Sequence, residues 1–363
     1  MTTAIYKHFF LGFLFLSQFI FAQKGLEALI ISDGVLLKCD NSKLPRDGSI
    51  ELPRTVNRIA KEVFKDCLPL KSISIAGTVT TIEEGAFSGC TNLTKVEILP
   101  NSVTYIGARA FANCTKLLMI YLPNSVTNIG EEAFRGCSSL KKIEIPENVS
   151  ELGNRAFMDC WGLQQVNFLG EKLSVISSQL FYQCKQLQKA VLPESVKNIR
   201  SSAFAYCENL SSVTFPKQLE SIGDDAFEYC RRLISIDIPD SVVFVGASAF
   251  NSCSSLMKVK LPYGLRHILN DTFLDCTSLT AVVIPDTVEK INIQAFKNCS
   301  SLVRVQMPLA LTNIYYAAFY GCKSLQYIDL PDEVKYIGGF AFGECQNIQT
   351  VELPKAVTVI ASK

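Results

Sequence analysis

The sequence predicts a repeat solenoid, a single elongated domain with a parallel β-sheet on one face and short helical or irregular turns on the other. Phenylalanine recurs at Phe64, Phe87, Phe111, Phe134, Phe157, Phe181, Phe204, Phe227, Phe250, Phe273, Phe296, Phe319 and Phe342, spaced by 23 residues ten times and by 24 twice. A cysteine follows each phenylalanine by three residues, from Cys67 to Cys345, and a leucine follows each cysteine by three, with Ile348 in the last copy. Self-similarity of fixed period over about 310 residues marks stacked supersecondary units and not separate globules.

Each element of the unit has a local reason. In the copy EEAFRGCSSLKKIEIPENV, residues 131–149, Ile143 and Ile145 alternate with Lys142 and Glu144. That period of two predicts a strand with one buried and one wet side. Pro146 lacks an N–H and suits the strand's end. The segment of the SVTNIG type then turns the corner, and EEAFRGC returns along the outer side. Strands of successive units stack in parallel about 4.8 Å apart, so about 13 copies give a sheet about 60 Å long. One unit holds about eight recurrent apolar positions, too few to offset the ordering of its backbone alone, so units fold only by sharing burial with neighbours.

The ends break the period. Lys7 and His8 precede the apolar run FFLGFLFLSQFIFA, which ends at Ala22, and residues 1–22 read as a secretory signal peptide. The run is about 14 residues, short of the roughly 20 that span a membrane, and no other stretch approaches that length. Residues 23–49 contain ALIISDGVLLKC, two apolar runs around Asp33-Gly34, and predict a β-hairpin cap. Residues 50–363 form the solenoid of about 13 units. Its last unit breaks off after Ile360, and the strand around Val351 and Leu353 is expected to leave an open edge, a surface for self-association. Proline is missing in the units ending at Ala76 and Leu169, Ala190 replaces the usual Val or Ile, and an extra residue near 169–173 predicts a local bend.

The cysteines argue against chemistry. Thirteen of the 14 share one repeat position, and Cys39 alone lies off it. Beyond residue 22 the single histidine is His267, and no C-x-x-C occurs. The usual partners of a thiol nucleophile and the usual zinc spacing are therefore missing, which makes a thiol enzyme or metal carrier the remote alternative. Cysteine here reads as a small buried apolar residue, and equivalent thiols pointing in parallel disfavour the torsion of a disulfide. No catalytic, cofactor or metal site is assigned. Residues 23–363 carry 34 basic and 34 acidic side chains, which excludes a general polyanion or nucleic-acid binder.

The pattern C-x-x-L-x-x-[IV]-x-[IL]-P-x-x-[VL]-x-x-I-G-x-x-A-F, over about residues 50–360, resembles the BspA-type leucine-rich repeat. The resemblance implies a secreted or cell-surface protein. It also implies adhesion-like recognition of an extracellular protein or polysaccharide, without catalysis. A self-associating structural surface component is the alternative.

If function is binding, the outward strand rows are the first surface to consider. Met119 with Tyr121 forms an apolar spot of the kind favoured at contacts. Lys142 beside Glu144 is a second candidate, with a self-neutralising solvated pair as the plainer reading. Tyr315, Tyr316, Tyr320, Tyr327 and Tyr336, with Phe340, fall within two units and form a third. Trp161, Tyr182, Tyr206 and Tyr229 form a further group, in which Tyr206 and Tyr229 share a repeat position and should be neighbours.

Overall fold

The computed structural model describes residues 24–100 and 102–361. The signal-peptide reading of residues 1–22 lies outside them. The chain winds into a parallel β-solenoid. Its two short 3-10 turns, Leu26–Ala28 and Asn41–Lys43, both precede the first coil, and the return side of every described coil is built of turns.

The longer strands lie after the C-x-x-L segment. Lys142–Ile145 is exposed, buried, half-buried and buried in turn. It pairs in parallel with Gln165–Phe168 over four rungs, from Lys142↔Gln165 to Ile145↔Phe168, so like repeat positions stand side by side. The SVTNIG corner, expected to be a turn, is also a strand. Asn128–Ile129 pairs with Tyr105–Ile106 on one side and Glu151–Leu152 on the other, and two-residue strands of this kind make up most of a second, short-strand sheet in three segments of seven, four and five strands. The corner backbone is extended, and its neighbour presents the same unpaired groups one repeat away, so the two satisfy each other.

Leu29–Ser32 and Val35–Cys39 form an antiparallel hairpin around Asp33 and Gly34, which both take positive φ. Two successive positive-φ residues are what a tight hairpin turn requires. Val35–Cys39 then pairs in parallel with Arg58–Ile59 and so heads the short-strand sheet.

Phenylalanine rings fill the interior as one column. Those from Phe64 to Phe319 are fully buried, and neighbouring centroids along the column lie 5.0–5.6 Å apart. On the return side the N–H of Phe64 donates to Ala86 O of the next coil at 2.8 Å, and that of Phe87 to Ala110 O at 2.7 Å. Each return turn includes left-handed residues, such as Glu132 and Gly136 in one coil.

The cysteines are free and buried, Cys345 only partly. Their position does more than fill space. Phe64 O accepts the N–H of Cys67 at 3.0 Å and the S–H of Cys90, one coil on, at 2.9 Å. Both lone pairs of a buried carbonyl are thereby used. The same S–H contact recurs at Cys137 on Phe111, Cys230 on Phe204 and Cys322 on Phe296. Cys67 has no such phenylalanine before it, and its S–H donates to Asn41 Oδ1 of the N-terminal segment at 3.0 Å.

The long-strand sheet is not continuous, as the sequence had suggested, but consists of three four-stranded segments. Its pairing is also sparse after the two 24-residue repeats, as it is between Lys258–Lys260 and Ala281–Val283, which meet at one rung. Leu99 and Leu169 follow the strands Lys95–Ile98 and Gln165–Phe168, and their N–H groups donate back to Ile75 O at 3.1 Å and Ile145 O at 2.9 Å. Each of these strands is thus held to the coil before it more fully than to the coil after it. Lys95–Ile98 pairs with Ser72–Ile75 over four rungs but with Met119–Ile120 over two. Gln165–Phe168 pairs with Lys142–Ile145 over four but with Lys189–Val191 at the single rung Gln165↔Lys189.

The expected edge strand around Val351 and Leu353 needs correction. Residues 350–354 form no strand, and no long strand is present after Arg304–Gln306. The coil before Val351 thus offers no ladder to join. Val351 packs against the core, Leu353 is exposed, and the C-terminal pairing is Val359–Ile360 on Tyr336–Ile337 in the short-strand sheet.

Candidate binding face

Strand alternation turns Ile143 and Ile145 inward and presents Lys142 and Glu144 to water. Several charged rungs of this face neutralise themselves. Lys95 meets Glu97 at 3.1 Å, Lys142 meets Glu144 at 2.7 Å, and Lys260 lies 3.5 Å from both Asp237 and Asp240. The hydrogen bond from Lys142 holds the Glu144 carboxyl below its usual range. Exposed pairs of this kind contribute little to stability, and each occupies the charges a partner would need.

The face changes character where the sheet splays. On the coil after the first splay, Leu118, Met119 and Tyr121 are 52 %, 53 % and 69 % exposed and form an apolar patch; Ile234, Met257 and Val283 expose further apolar side chains at equivalent positions of the face. At the second splay the strands Gln165–Phe168 and Lys189–Val191 part to leave a notch of about 620 Å³. Gln164, Gln165, Asn167 and Gln188 line it with amides, and exposed Leu169 and Val191 add apolar surface. Gln164 and Gln188 are not among the residues the sequence singles out; the amide run beside an extra residue is the signal for them, and on sequence alone that residue predicts only a bend.

The C-terminal tyrosines do not form one group. Tyr327 lies in the outward row of the long-strand face and is 52 % exposed. Tyr315 and Tyr336 meet with centroids 5.5 Å apart, Tyr336 being a short-strand residue. Tyr316 and Tyr320 pack edge-on against Phe340 at 6.0 and 6.3 Å, and Lys297 sits over the Tyr320 ring at 5.8 Å. Two units therefore spread these rings around the coil, because positions close in sequence lie on different sides of it.

Tyr206 and Tyr229 are neighbours, stacked with centroids 4.7 Å apart, and Tyr182 lies 5.4 Å from Tyr206. Both stacked residues take positive φ, at a position where other coils place Asp66, Asn113 or Gly136. A bulky side chain is disfavoured in that conformation. The stacked rings turn their faces to each other, which leaves edges and hydroxyls for contact. Trp161 is exposed nearby in the repeat order.

The interior offers little to catalysis. Burial raises the thiols from Cys90 to Cys299, Cys137 to about 12, whereas Cys67 and Cys345 at the two ends are lowered by hydrogen bonds from Cys39 and Cys322; a protonated enclosed thiol is a poor nucleophile. Among the described residues no three His, Cys, Asp or Glu side chains converge as a metal site. No described helix is long and apolar enough to cross a membrane.

The model of the BspA type leucine rich repeat region, six copies long, matches residues 57–188, 174–280 and 266–363. The chain belongs to the BspA-type leucine-rich repeat family. The crystal structure of a leucine-rich repeat protein from Bacteroides ovatus is similar at 33 % identity, over 89 % of this chain and 90 % of that one, with a TM-score of 0.71. A leucine rich cell surface protein from Faecalibacterium prausnitzii is similar at 26 % identity, over 89 % and 92 %, with a TM-score of 0.53. A leucine-rich repeat protein from Eubacterium ventriosum shares the fold at 22 % identity, over 90 % and 94 %, with a TM-score of 0.58. No curated protein matches the chain. The family explains the constancy of the inward columns: every repeat must meet its neighbours in the same way.

Proposed function

We propose that this protein is an extracytoplasmic binding scaffold that holds a protein or polysaccharide against its long-strand face and catalyses nothing. The observation that carries the reading is a coincidence of position. Outward Met119 and Tyr121 and the amide notch both fall beside a 24-residue repeat, where the long strands pair over only two rungs and one. Neighbouring rungs carry self-paired charge, so a partner finds uncommitted surface at these two places. The placement outside the cytoplasm rests on the apolar run before Ala22 and on the cell surface name of the Faecalibacterium relative.

The test is a binding screen of residues 23–363 against host matrix proteins, bacterial cells and glycans, with a Met119→Ser, Tyr121→Ser variant beside it. The variant is expected to lose at least tenfold in affinity for a protein partner, as truncating exposed anchor residues does at interfaces. Binding that survives both this variant and substitution of the notch amides would defeat the reading. A second reading is a self-associating surface component. It is favoured by the exposed apolar side chains of Leu353, Val359 and Ile360 around the C-terminal pairing. A sedimentation profile that shifts with concentration, and stops shifting in Val359→Lys, would select it.

A further inference from the structure

We infer that the notch between the strands Gln165–Phe168 and Lys189–Val191 is a subsite for an uncharged oligosaccharide. The inference rests on the long-strand face being the binding face.

Leu169, just past its strand, donates its N–H to Ile145 O of the coil before, and the following coil meets the strand Gln165–Phe168 at one rung, Gln165↔Lys189. About 620 Å³ is left between the two strands, within the usual size range of small-ligand sites. The lining chemistry then selects the ligand. Gln164, Gln165, Asn167 and Gln188 are primary amides, each able to donate and to accept. Sugar hydroxyls do the same, so an amide row can satisfy a row of hydroxyls in either sense. Lys189 is the only charged lining residue, too little for a sulfated or carboxylated polymer. Leu169 and Val191, 53 % and 63 % exposed, give the apolar surface on which the C–H face of a sugar ring can lie. Gln165 Nε2 already donates to Asn167 Oδ1 at 2.9 Å, which orients two of the amides before any ligand arrives. The flanking rungs contrast with this. Lys142–Glu144 on one side and Lys260–Asp237 further along are closed ion pairs.

Calorimetric titration decides the matter, with maltohexaose, cellohexaose and mannohexaose as neutral probes and a hexamer of polygalacturonate as the anionic one. The full chain without residues 1–22 is compared with Gln164→Leu, Gln188→Leu and with Met119→Ser, Tyr121→Ser, each checked for an unchanged urea midpoint. If the notch pair perturbs that midpoint, Gln188→Ala replaces it. The expected result is a neutral hexasaccharide bound by the parent, weakened at least tenfold by the notch variant and unaffected by the Met119 variant. Binding of none of the neutral probes, preference for the anionic hexamer, or neutral binding indifferent to the notch variant each overturns the inference. The broader reading fails separately. If no sugar binds but a protein partner is lost in the Met119 variant, the subsite falls and the binding face stands.

Discussion

Alkaline pH should unfold this protein through its cysteine column. The thiols from Cys90 to Cys322 are raised above the ordinary value of 9.0, by burial at every rung and, first of all at Cys322, by a hydrogen bond with Cys345. Cys137, wholly enclosed, is pushed up to about 12. The folded state thus holds its thiol protons more tightly than the unfolded state does. The stability linked to them is complete below pH 9.0 and is lost as pH rises toward the folded values. Over that window each thiol contributes a slope of about 1.4 kcal/mol per pH unit; the rise at Cys322 is offset by its partner Cys345, which is lowered, and the other ten together give about 14. With ordinary stability per residue of about 0.05–0.15 kcal/mol, the native state should fail between about pH 10 and 12. Urea midpoints followed by circular dichroism at pH 8, 9, 9.5, 10 and 10.5, with reductant present, measure the slope. A variant carrying Cys184→Ala, Cys207→Ala and Cys230→Ala should be less stable at pH 8. Its stability should fall less steeply, by about 4 kcal/mol per pH unit. Midpoints that stay level from pH 9 to 10.5, or a slope the triple variant leaves unchanged, would refute the claim that these sulfurs are sealed between coils.

Other perturbations test other columns. Phe204 stacks on Phe181 at 5.3 Å and on Phe227 at 5.2 Å, whereas Phe342 stacks along the column on Phe319 alone, at 5.6 Å. In urea unfolding, Phe204→Leu should therefore cost about 1 kcal/mol more than Phe342→Leu. A Cβ on Gly153 would stand 2.3 Å from the backbone nitrogen of Glu131. Gly153→Ala should lower stability by about 1–3 kcal/mol, and Asn292→Ala, at the same repeat position, by no more than about 0.5. Glu132 is 5 % exposed, and its carboxylate accepts from Arg109 Nε at 2.8 Å, with Arg135 and Arg155 within 3.7 Å. Burial alone would raise its pKa, but the Arg109 bond and the three cations outweigh it and hold it below 4.5. Its contribution is present above pH 4.5 and lost as pH falls, and Glu132→Gln should cost about 1–2 kcal/mol at pH 7 while flattening the acid limb of the stability profile.

What could be read in the sequence was what stacking forces to repeat. Phe134, Cys137, Leu140, Ile143 and Ile145 meet their own equivalents in the coils before and after, so a residue that suits one coil must suit all, and the column shows as a period. The solenoid, the parallel strands and the inward placement of the thiols follow from that alone. The Asn128–Ile129 strand was legible only as a corner, because two residues are too short to show alternation. The cysteine's second role was hidden, since Phe64 O and the Cys90 S–H lie 26 residues apart.

The surface was decided by the tertiary structure. Tyr315, Tyr316 and Tyr327 are close in the chain, but the coil carries them to different sides, while Gln164 and Gln188 are brought to one notch. An outward residue meets water in every coil and carries no imprint of its neighbours, so its variation records no geometry. One added residue, Leu169, was visible from the start. Whether the strand before it is held more fully to the coil behind than to the coil ahead depends on which backbone groups find partners, and only the folded arrangement settles that.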